Sequence, residues 1–233
     1  MPQDLILLFS GGVDSYCAWW YLDKPSVLFV DIGSKYIEKE KFAVKMIAEK
    51  VGMDLLIDDS AKNYGRNWER KDFYIPWRNI ILCTIAANYG NKIGLIGICG
   101  DKVEDKGKQA NKILSECLTK LGKEKKIEIF SPFLFWTKRR IISWYLKSKY
   151  PKDVLLSTVS CYNGNFGHCG NCPACLRRFF GLYGFFSEDE LRNNFAMWPA
   201  ESFLFDEYVK RAKIGYYDKE RCNDILSVKK IIA

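Results

Sequence analysis

Leu5-Ile6-Leu7-Leu8-Phe9-Ser10-Gly11-Gly12-Val13-Asp14-Ser15 is the stretch on which the reading of this chain turns. Five consecutive apolar residues suit a parallel strand buried on both faces, and Ser15 to Tyr21, free of Gly and Pro, continue as a helix. The Ser-Gly-Gly-x-Asp-Ser turn therefore falls where strand becomes helix. Glycines there let the backbone approach a ligand, and the unpaired N–H groups of a helix start, with the dipole behind them, attract an anion. Ser10, Gly11, Gly12, Val13, Asp14 and Ser15 thus form a candidate phosphate cradle. Asp14 is acidic and fits such a cradle only with Mg²⁺ between carboxylate and phosphate. By motif alone, an ordinary Gly-Gly turn with a Ser or Asp helix cap reads the same way. A Walker A loop is excluded, because no Gly-Lys-Ser/Thr follows at the required spacing.

Strand and helix patterns alternate beyond this turn. Val27–Ile32, Asp54–Ile57, Ile93–Ile98 and Ile127–Phe130 read as strands, and Glu38–Val51, Arg78–Tyr89, Lys112–Leu121 and Arg139–Lys147 as helices. That alternation predicts an α/β fold with a doubly wound, mostly parallel, Rossmann-like sheet. Three units are expected: an α/β nucleotide-binding domain over 1–157, a zinc-binding segment over 158–186, and an extension over 187–233 packed on the core or on a sister subunit. Ser187-Glu-Asp-Glu190 reads as a helix start and Ala200–Lys213 as a further helix.

At 233 residues, 48% hydrophobic, the chain can bury a substantial core. No apolar run nears the ~18 residues of a membrane span, and the N-terminus has no secretory pattern, so a cytoplasmic protein is expected. The net charge of +8 arises from 36 basic and 28 acidic residues without a long single-sign block. This favours anionic small ligands over direct nucleic-acid binding. In a reducing compartment, clustered cysteines point to metal. Cys161, Cys169, Cys172 and Cys175, spaced Cys-x7-Cys-x2-Cys-x2-Cys, suit a closed tetrahedral Zn²⁺ site; an iron–sulfur cluster could use the same ligands. His168, the one histidine, is expected beside the metal or facing solvent. Cys17 and Cys83 read as buried hydrophobes. Cys99, at the end of an apolar run, is a candidate at the ligand-binding edge of the sheet, either as a thiol nucleophile or as a packing residue.

Ser10 to Ser15 resembles the signature of the ATP pyrophosphatase (PP-loop) superfamily, whose members cleave ATP between the α and β phosphates. Three further stretches narrow the resemblance to the QueC family, the 7-cyano-7-deazaguanine synthases. Tyr74-Ile-Pro-Trp-Arg-Asn79 resembles its Pro-Gly-Arg-Asn segment. Ser131-Pro132-Phe133 with Lys138 resembles its Thr-Pro-Leu stretch and lysine. Thr158–Arg177, carrying Cys-Tyr-Asn-Gly and Cys-Gly-x-Cys-Pro-x-Cys, resembles its zinc segment. The resemblance covers roughly residues 5 to 186.

It implies an adenine nucleotide alpha hydrolase-like fold and a C–N bond-forming ligase that converts 7-carboxy-7-deazaguanine and ammonia to the nitrile with ATP, Mg²⁺ and Zn²⁺. Asp14, Arg78 and Lys138 become the expected catalytic residues, and Gly33 joins the nucleotide contacts. Where the family has Glu-Thr-Asp and Tyr-Pro-Asp-Cys-Arg, this chain reads Gly100-Asp-Lys-Val-Glu-Asp-Lys-Gly-Lys-Gln109. Cys99, Asp101 and Asp105 are the substrate candidates there, with Glu104 also able to supply an acidic contact. That departure and the long tail leave open a changed product or acceptor, including a partner protein; a tRNA-modifying enzyme of the same PP-loop superfamily is the other alternative. The family implies a homodimer.

Overall fold

A computed structural model describes residues 3–99, 104–122, 126–163 and 167–232. Five strands, β1 (Gln3–Leu8), β2 (Ser26–Val30), β3 (Leu55–Asp58), β4 (Gly90–Gly94) and β5 (Glu128–Phe130), form one sheet. All neighbours are parallel, in the order β3-β2-β1-β4-β5. After β1 the chain builds outward through β2 to β3, then returns to place β4 on the other side of β1. The C-terminal ends of β1 and β4 therefore bound the crevice where an open α/β sheet receives ligands.

The helices are α1 (Val13–Tyr21), α2 (Ile37–Val51), α3 (Tyr64–Trp68), α4 (Arg78–Ala86), α5 (Lys108–Leu121), α6 (Lys138–Lys147), α7 (Lys152–Ser157), α8 (Pro173–Leu182), α9 (Glu188–Arg192), α10 (Phe203–Lys213) and α11 (Lys219–Ile232). Alternation along the central strands divides the core between the two faces of the sheet. Leu7, Phe9, Val27 and Phe29 pack with α1, α2, α6 and α8, whereas Ile6, Leu8, Leu28 and Val30 pack with α4 and α5. This is why β1 and β2 read as unbroken apolar runs: both faces are covered.

Local signals set most boundaries. Gly52, at φ 70°, ends α2 in a left-handed cap. Thr137 Oγ1 accepts the Arg140 N–H at the start of α6, and Ser187 with Glu190 forms a capping box on α9. The tail is not a separate layer. Phe205, Tyr208, Val209, Cys222, Ile225 and Val228 share one buried cluster with Phe179 and Phe180 of α8, and the Phe180 and Phe205 rings stack 5.3 Å apart.

Three expected elements are corrected. The strand expected at Ile93–Ile98 lies at Gly90–Gly94, because its register is set by β1, where Gln3 faces Gly90 and Leu7 faces Gly94. Leu95 and Ile98 beyond it are buried and Ile96 half-buried without continuing the ladder: the Ser131 hydroxyl bonds both the N–H and the C=O of Gly97. The helix expected from Arg78 to Tyr89 ends at Ala86, and the Asn88 side chain donates to the Ile85 carbonyl in the turn beyond. The helix expected from Ala200 begins at Phe203, after a 3₁₀ turn over Pro199–Glu201, with Ser202 as its cap.

Candidate active site and metal centre

A cavity of about 240 Å³ opens at the crevice between β1 and β4. Ser10, Gly12, Val13, Asp14 and Ser15 line its β1 side, and Arg78 and Lys138 reach it from the starts of α4 and α6. Gly12 is the N-cap of α1 and no side chain caps this helix, so its first N–H groups are available to an anion. The Ser10 and Ser15 hydroxyls lie 3.3 Å apart at the same place. Gly11 is outside the lining but shapes the loop: its φ is +70°, and an added Cβ would stand 3.1 Å from Val44 Cγ2. The loop is pinned from behind by the Val159 N–H, which donates to the Gly11 carbonyl at 2.8 Å.

Asp14 and Lys138, 124 residues apart in sequence, form an ion pair, with Lys138 Nζ 2.6 and 2.5 Å from the two carboxylate oxygens. Arg78 is half-buried, and its guanidinium makes no hydrogen bond among the described residues. Burial works against its charge, but Tyr36, Glu40, Tyr162 and Asp105 outweigh this and hold it more firmly protonated than usual. Glu40, from the first turn of α2, also lines the cavity. Burial pushes its carboxyl up to about 7 against the opposing influence of Arg78 and Lys39. Lys106, Lys138, Arg78 and Arg177 against Asp14 and Glu40 leave the lining net positive, as an anionic ligand requires.

The four clustered cysteines come together as a group that could hold a metal ion. The sulfurs of Cys161, Cys169, Cys172 and Cys175 all lie within 4.8 Å of one another, and Cys169 and Cys175 are 3.9 Å apart. A tetrahedral site with Zn–S bonds near 2.3 Å needs S···S separations of about 3.8 Å, so four thiolates here can hold a metal such as zinc. Backbone N–H groups of Asn163 and Cys169 donate to Cys161 Sγ, that of Asn171 to Cys169 Sγ, and that of Cys175 to Cys172 Sγ, favouring the anionic sulfurs a metal demands. The neighbouring Cys172 and Cys175 side chains, with the Asn163 and Cys169 N–H groups, hold the Cys161 thiol well below its ordinary value. His168 does not face solvent. It is buried against Phe195, and burial depresses its imidazole to about 2.

Tyr162 joins the cysteine cluster to the cavity. It follows Cys161, lines the cavity, accepts a 2.7 Å hydrogen bond from Arg177 and packs against Tyr36 and Phe73. On the far side, the buried Lys39 ammonium donates to the Asn163 and Gly167 carbonyls of the cysteine loop.

Other expected residues stand elsewhere. Gly33 is outside the lining, and its lack of a side chain serves packing: a Cβ would come 1.8 Å from the Lys62 carbonyl oxygen. Beside it, the Asp31 carboxylate, not one of the expected site residues, accepts the Gly33 N–H and pairs with Lys41 at the strand end. Cys99 lines an adjoining small cleft against α11, where burial and Asp218 push its thiol up to about 11, which disfavours the thiolate. Asp105 lies outside the cavity lining, with Oδ1 buried and unpartnered. Asp101 lies outside the described residues, as does the side chain of Glu104. Sequence reasoning passed over Glu40; its signal was an acid in the first turn of a helix that follows a central strand.

A family model described as Queuosine biosynthesis protein QueC matches residues 34–185. That span contains Arg78, Lys138 and all four clustered cysteines and begins after the Ser10–Ser15 loop. The chain is 28% identical over 201 residues to 7-cyano-7-deazaguanine synthase 1 of Desulfitobacterium hafniense (strain Y51), covering 75% of this chain and 89% of that protein. It is 28% identical over 183 residues to 7-cyano-7-deazaguanine synthase 1 of Sulfurisphaera tokodaii, covering 74% and 89%. To 7-cyano-7-deazaguanine synthase of Methanosphaera stadtmanae it is 28% identical over 214 residues, covering 76% and 92%.

Proposed function

This chain belongs to the QueC family of queuosine biosynthesis proteins, and on that premise we propose that it converts 7-carboxy-7-deazaguanine and ammonia to 7-cyano-7-deazaguanine at the expense of ATP. The observation that carries the reading is the convergence of the Ser10–Ser15 loop, the Asp14–Lys138 pair and Arg78 on one cavity at the sheet's switch point.

A carboxylate resists attack by ammonia because its leaving group would be oxide. Joining a carboxylate oxygen to the α phosphate of ATP releases pyrophosphate and makes AMP the leaving group. Ammonia then displaces AMP to give the amide, and a second ATP activates the amide oxygen with release of pyrophosphate; loss of AMP and of both amide protons gives the nitrile. The protein's part is positioning and charge neutralisation. Ser10, Ser15 and the first N–H groups of α1 hold phosphate oxygens. Arg78 offers a fixed fork of donors to the same group, while Lys138 is a point charge that can follow the departing pyrophosphate. Asp14 would hold Mg²⁺, which would supply further neutralisation of the phosphate charge. Lys138 is therefore shared: it pairs with Asp14 and would also serve the phosphates as a point charge. The four cysteines would hold structural zinc, which would keep the segment carrying Tyr162 and Arg177 at the cavity.

A cytoplasmic homodimer completes this reading; Phe203 and Ile214 of the tail are exposed and offer apolar surface for it. Light scattering of the purified protein checks the dimer. The activity test is mass spectrometry of the zinc-loaded protein with ATP, Mg²⁺, ammonium and 7-carboxy-7-deazaguanine. Nitrile and AMP are expected. Amide alone would mean a reaction that stops halfway, and no consumption of either substrate would refute the proposal. Asp14→Asn should keep the fold and zinc yet lose turnover.

A further inference from the structure

Cavity residues whose polar groups lack partners mark where a ligand supplies them, because a buried donor or acceptor left unmatched costs the folded state free energy. Three polar side chains of the cavity stand out. Asn79, 1% exposed in the first turn of α4, has an unpartnered Nδ2, and Ser34, 4% exposed after β2, has an unpartnered Oγ. Glu40 presents a carboxylate that makes no hydrogen bond among the described residues. The other carboxylate of the lining, Asp14, is already engaged by Lys138. The cavity thus offers one uncommitted anionic acceptor and one uncommitted amide donor.

We propose that Glu40 and Asn79 read the lactam–amidine edge of the deazapurine substrate, Glu40 accepting from its ring N–H and exocyclic amino group and Asn79 Nδ2 donating to its carbonyl oxygen. The inference rests on the function proposed above and adds its specificity-determining residues. The complementarity is chemical. A guanine-like edge places two donors side by side, which a carboxylate matches with both oxygens, next to an acceptor that only a donor satisfies. Adenine, the other base the reaction brings to the site, has no ring N–H and presents a donor where guanine has its carbonyl, so it cannot satisfy both groups in the same way. Tyr36 and Tyr162, on the same lining, supply aromatic surface for a planar ring. The arrangement also gives Arg78 two roles that agree. It favours the ionised form of Glu40, and it stands beside Asn79 at the start of α4, keeping the base-reading pair adjacent to the phosphate-binding cation.

The test is equilibrium binding by titration calorimetry to the full-length zinc protein, with three probes: 7-carboxy-7-deazaguanine, its analogue lacking the 2-amino group, and a non-hydrolysable ATP analogue with Mg²⁺. Wild type should prefer the amino-bearing carboxylate over the analogue by at least tenfold. Glu40→Gln should weaken 7-carboxy-7-deazaguanine by about 10- to 100-fold, the value of charge-assisted hydrogen bonds, and erase that preference while leaving the ATP analogue within about threefold. Asn79→Leu should weaken both carboxylates alike, since both carry the carbonyl. Circular dichroism and zinc content establish that each variant is folded. A folded Glu40→Gln protein that keeps the preference overturns the inference, as does one that loses the ATP analogue instead, which would assign the pair to the nucleotide. Wild type that binds neither carboxylate refutes the parent function and this inference with it, whereas intact wild-type binding with unchanged variants refutes the inference alone.

Discussion

Replacing Arg178 with Met should be among the most damaging single changes in this protein, although Arg178 touches no part of the cavity. The side chain is 0% exposed and lies in the middle of α8. Its guanidinium donates to Asn194 Oδ1 at 3.1 Å, Thr158 Oγ1 at 2.6 Å, and the Leu155 and Leu156 carbonyls at 2.9 and 3.1 Å. It thereby ties the end of α7 to α8 and to the turn after α9, immediately before Val159, whose N–H holds the Gly11 carbonyl. Four hydrogen bonds from a charged donor, at roughly 1.5–3 kcal/mol each, would sum to more than 6 kcal/mol. Removing the buried charge recovers desolvation energy, and Met fills part of the volume, so the net loss should be about 3–5 kcal/mol. For a chain of this size that lowers Tm by roughly 6–20 °C. Urea unfolding followed by tryptophan fluorescence and circular dichroism measures it, with Arg177→Met as the control. Arg177 is half-buried at the cavity, and its loss should cost no more than about 1 kcal/mol. An Arg178→Met protein within about 1 kcal/mol of wild type would refute the reasoning, since it would mean that the carbonyls and Asn194 find other partners at no cost.

Cys172→Ser should release the metal and destabilise the α8–α11 region, because three thiolates and a weakly coordinating hydroxyl do not close a tetrahedral zinc site; zinc quantification at full occupancy would contradict this. Gly181→Ala should slow turnover while retaining fold and zinc: an added Cβ would come 2.8 Å from Lys138 Cγ and Cδ, moving the ammonium off Asp14, and a kcat equal to wild type would show that the lysine accommodates it. Stability should also carry a signature of Glu40. Its carboxyl, flanked by Arg78, Lys39, Glu69 and Tyr36, titrates at about 7 in the folded chain against an ordinary value near 4.5. Between those values the folded state retains a proton that the unfolded state releases, so this group favours folding most below pH 4.5 and progressively less as pH rises to 7. The stability of wild type relative to Glu40→Gln should therefore decline across that window in chemical denaturation, and a constant difference would contradict the shift.

The parts legible in the amino-acid sequence are those encoded by neighbours along the chain. The apolar run into Ser10–Ser15, the 3.6-residue stripe of α2 closed by Gly52, the Ser187–Glu190 capping box and the cysteine spacing each depend on a few consecutive residues, and each is present in the fold. Apolarity misled where it reports burial rather than pairing: Ile96 and Ile98 are apolar because they line the cavity, and the ladder had already ended at Gly94.

Within the candidate site, residue types were readable and their partners were not. Asp14 and Lys138 were separately visible as charged residues in suggestive contexts, but their contact spans 124 residues and exists only because α1 and α6 share one face of the sheet. Glu40 carries no local mark that separates it from Glu38 on the same turn; burial beside Arg78 distinguishes it. Gly33 and Cys99 show the converse, since each follows an apolar run at a strand's C-terminal side, yet the Lys62 carbonyl claims the space at one and α11 closes over the other. Periodicity, caps and metal-ligand spacing act over a turn or two of chain and so are written in sequence. Desolvation, ion pairing and the shape of a cavity depend on which distant segments the sheet order brings together, and those only the tertiary structure decided.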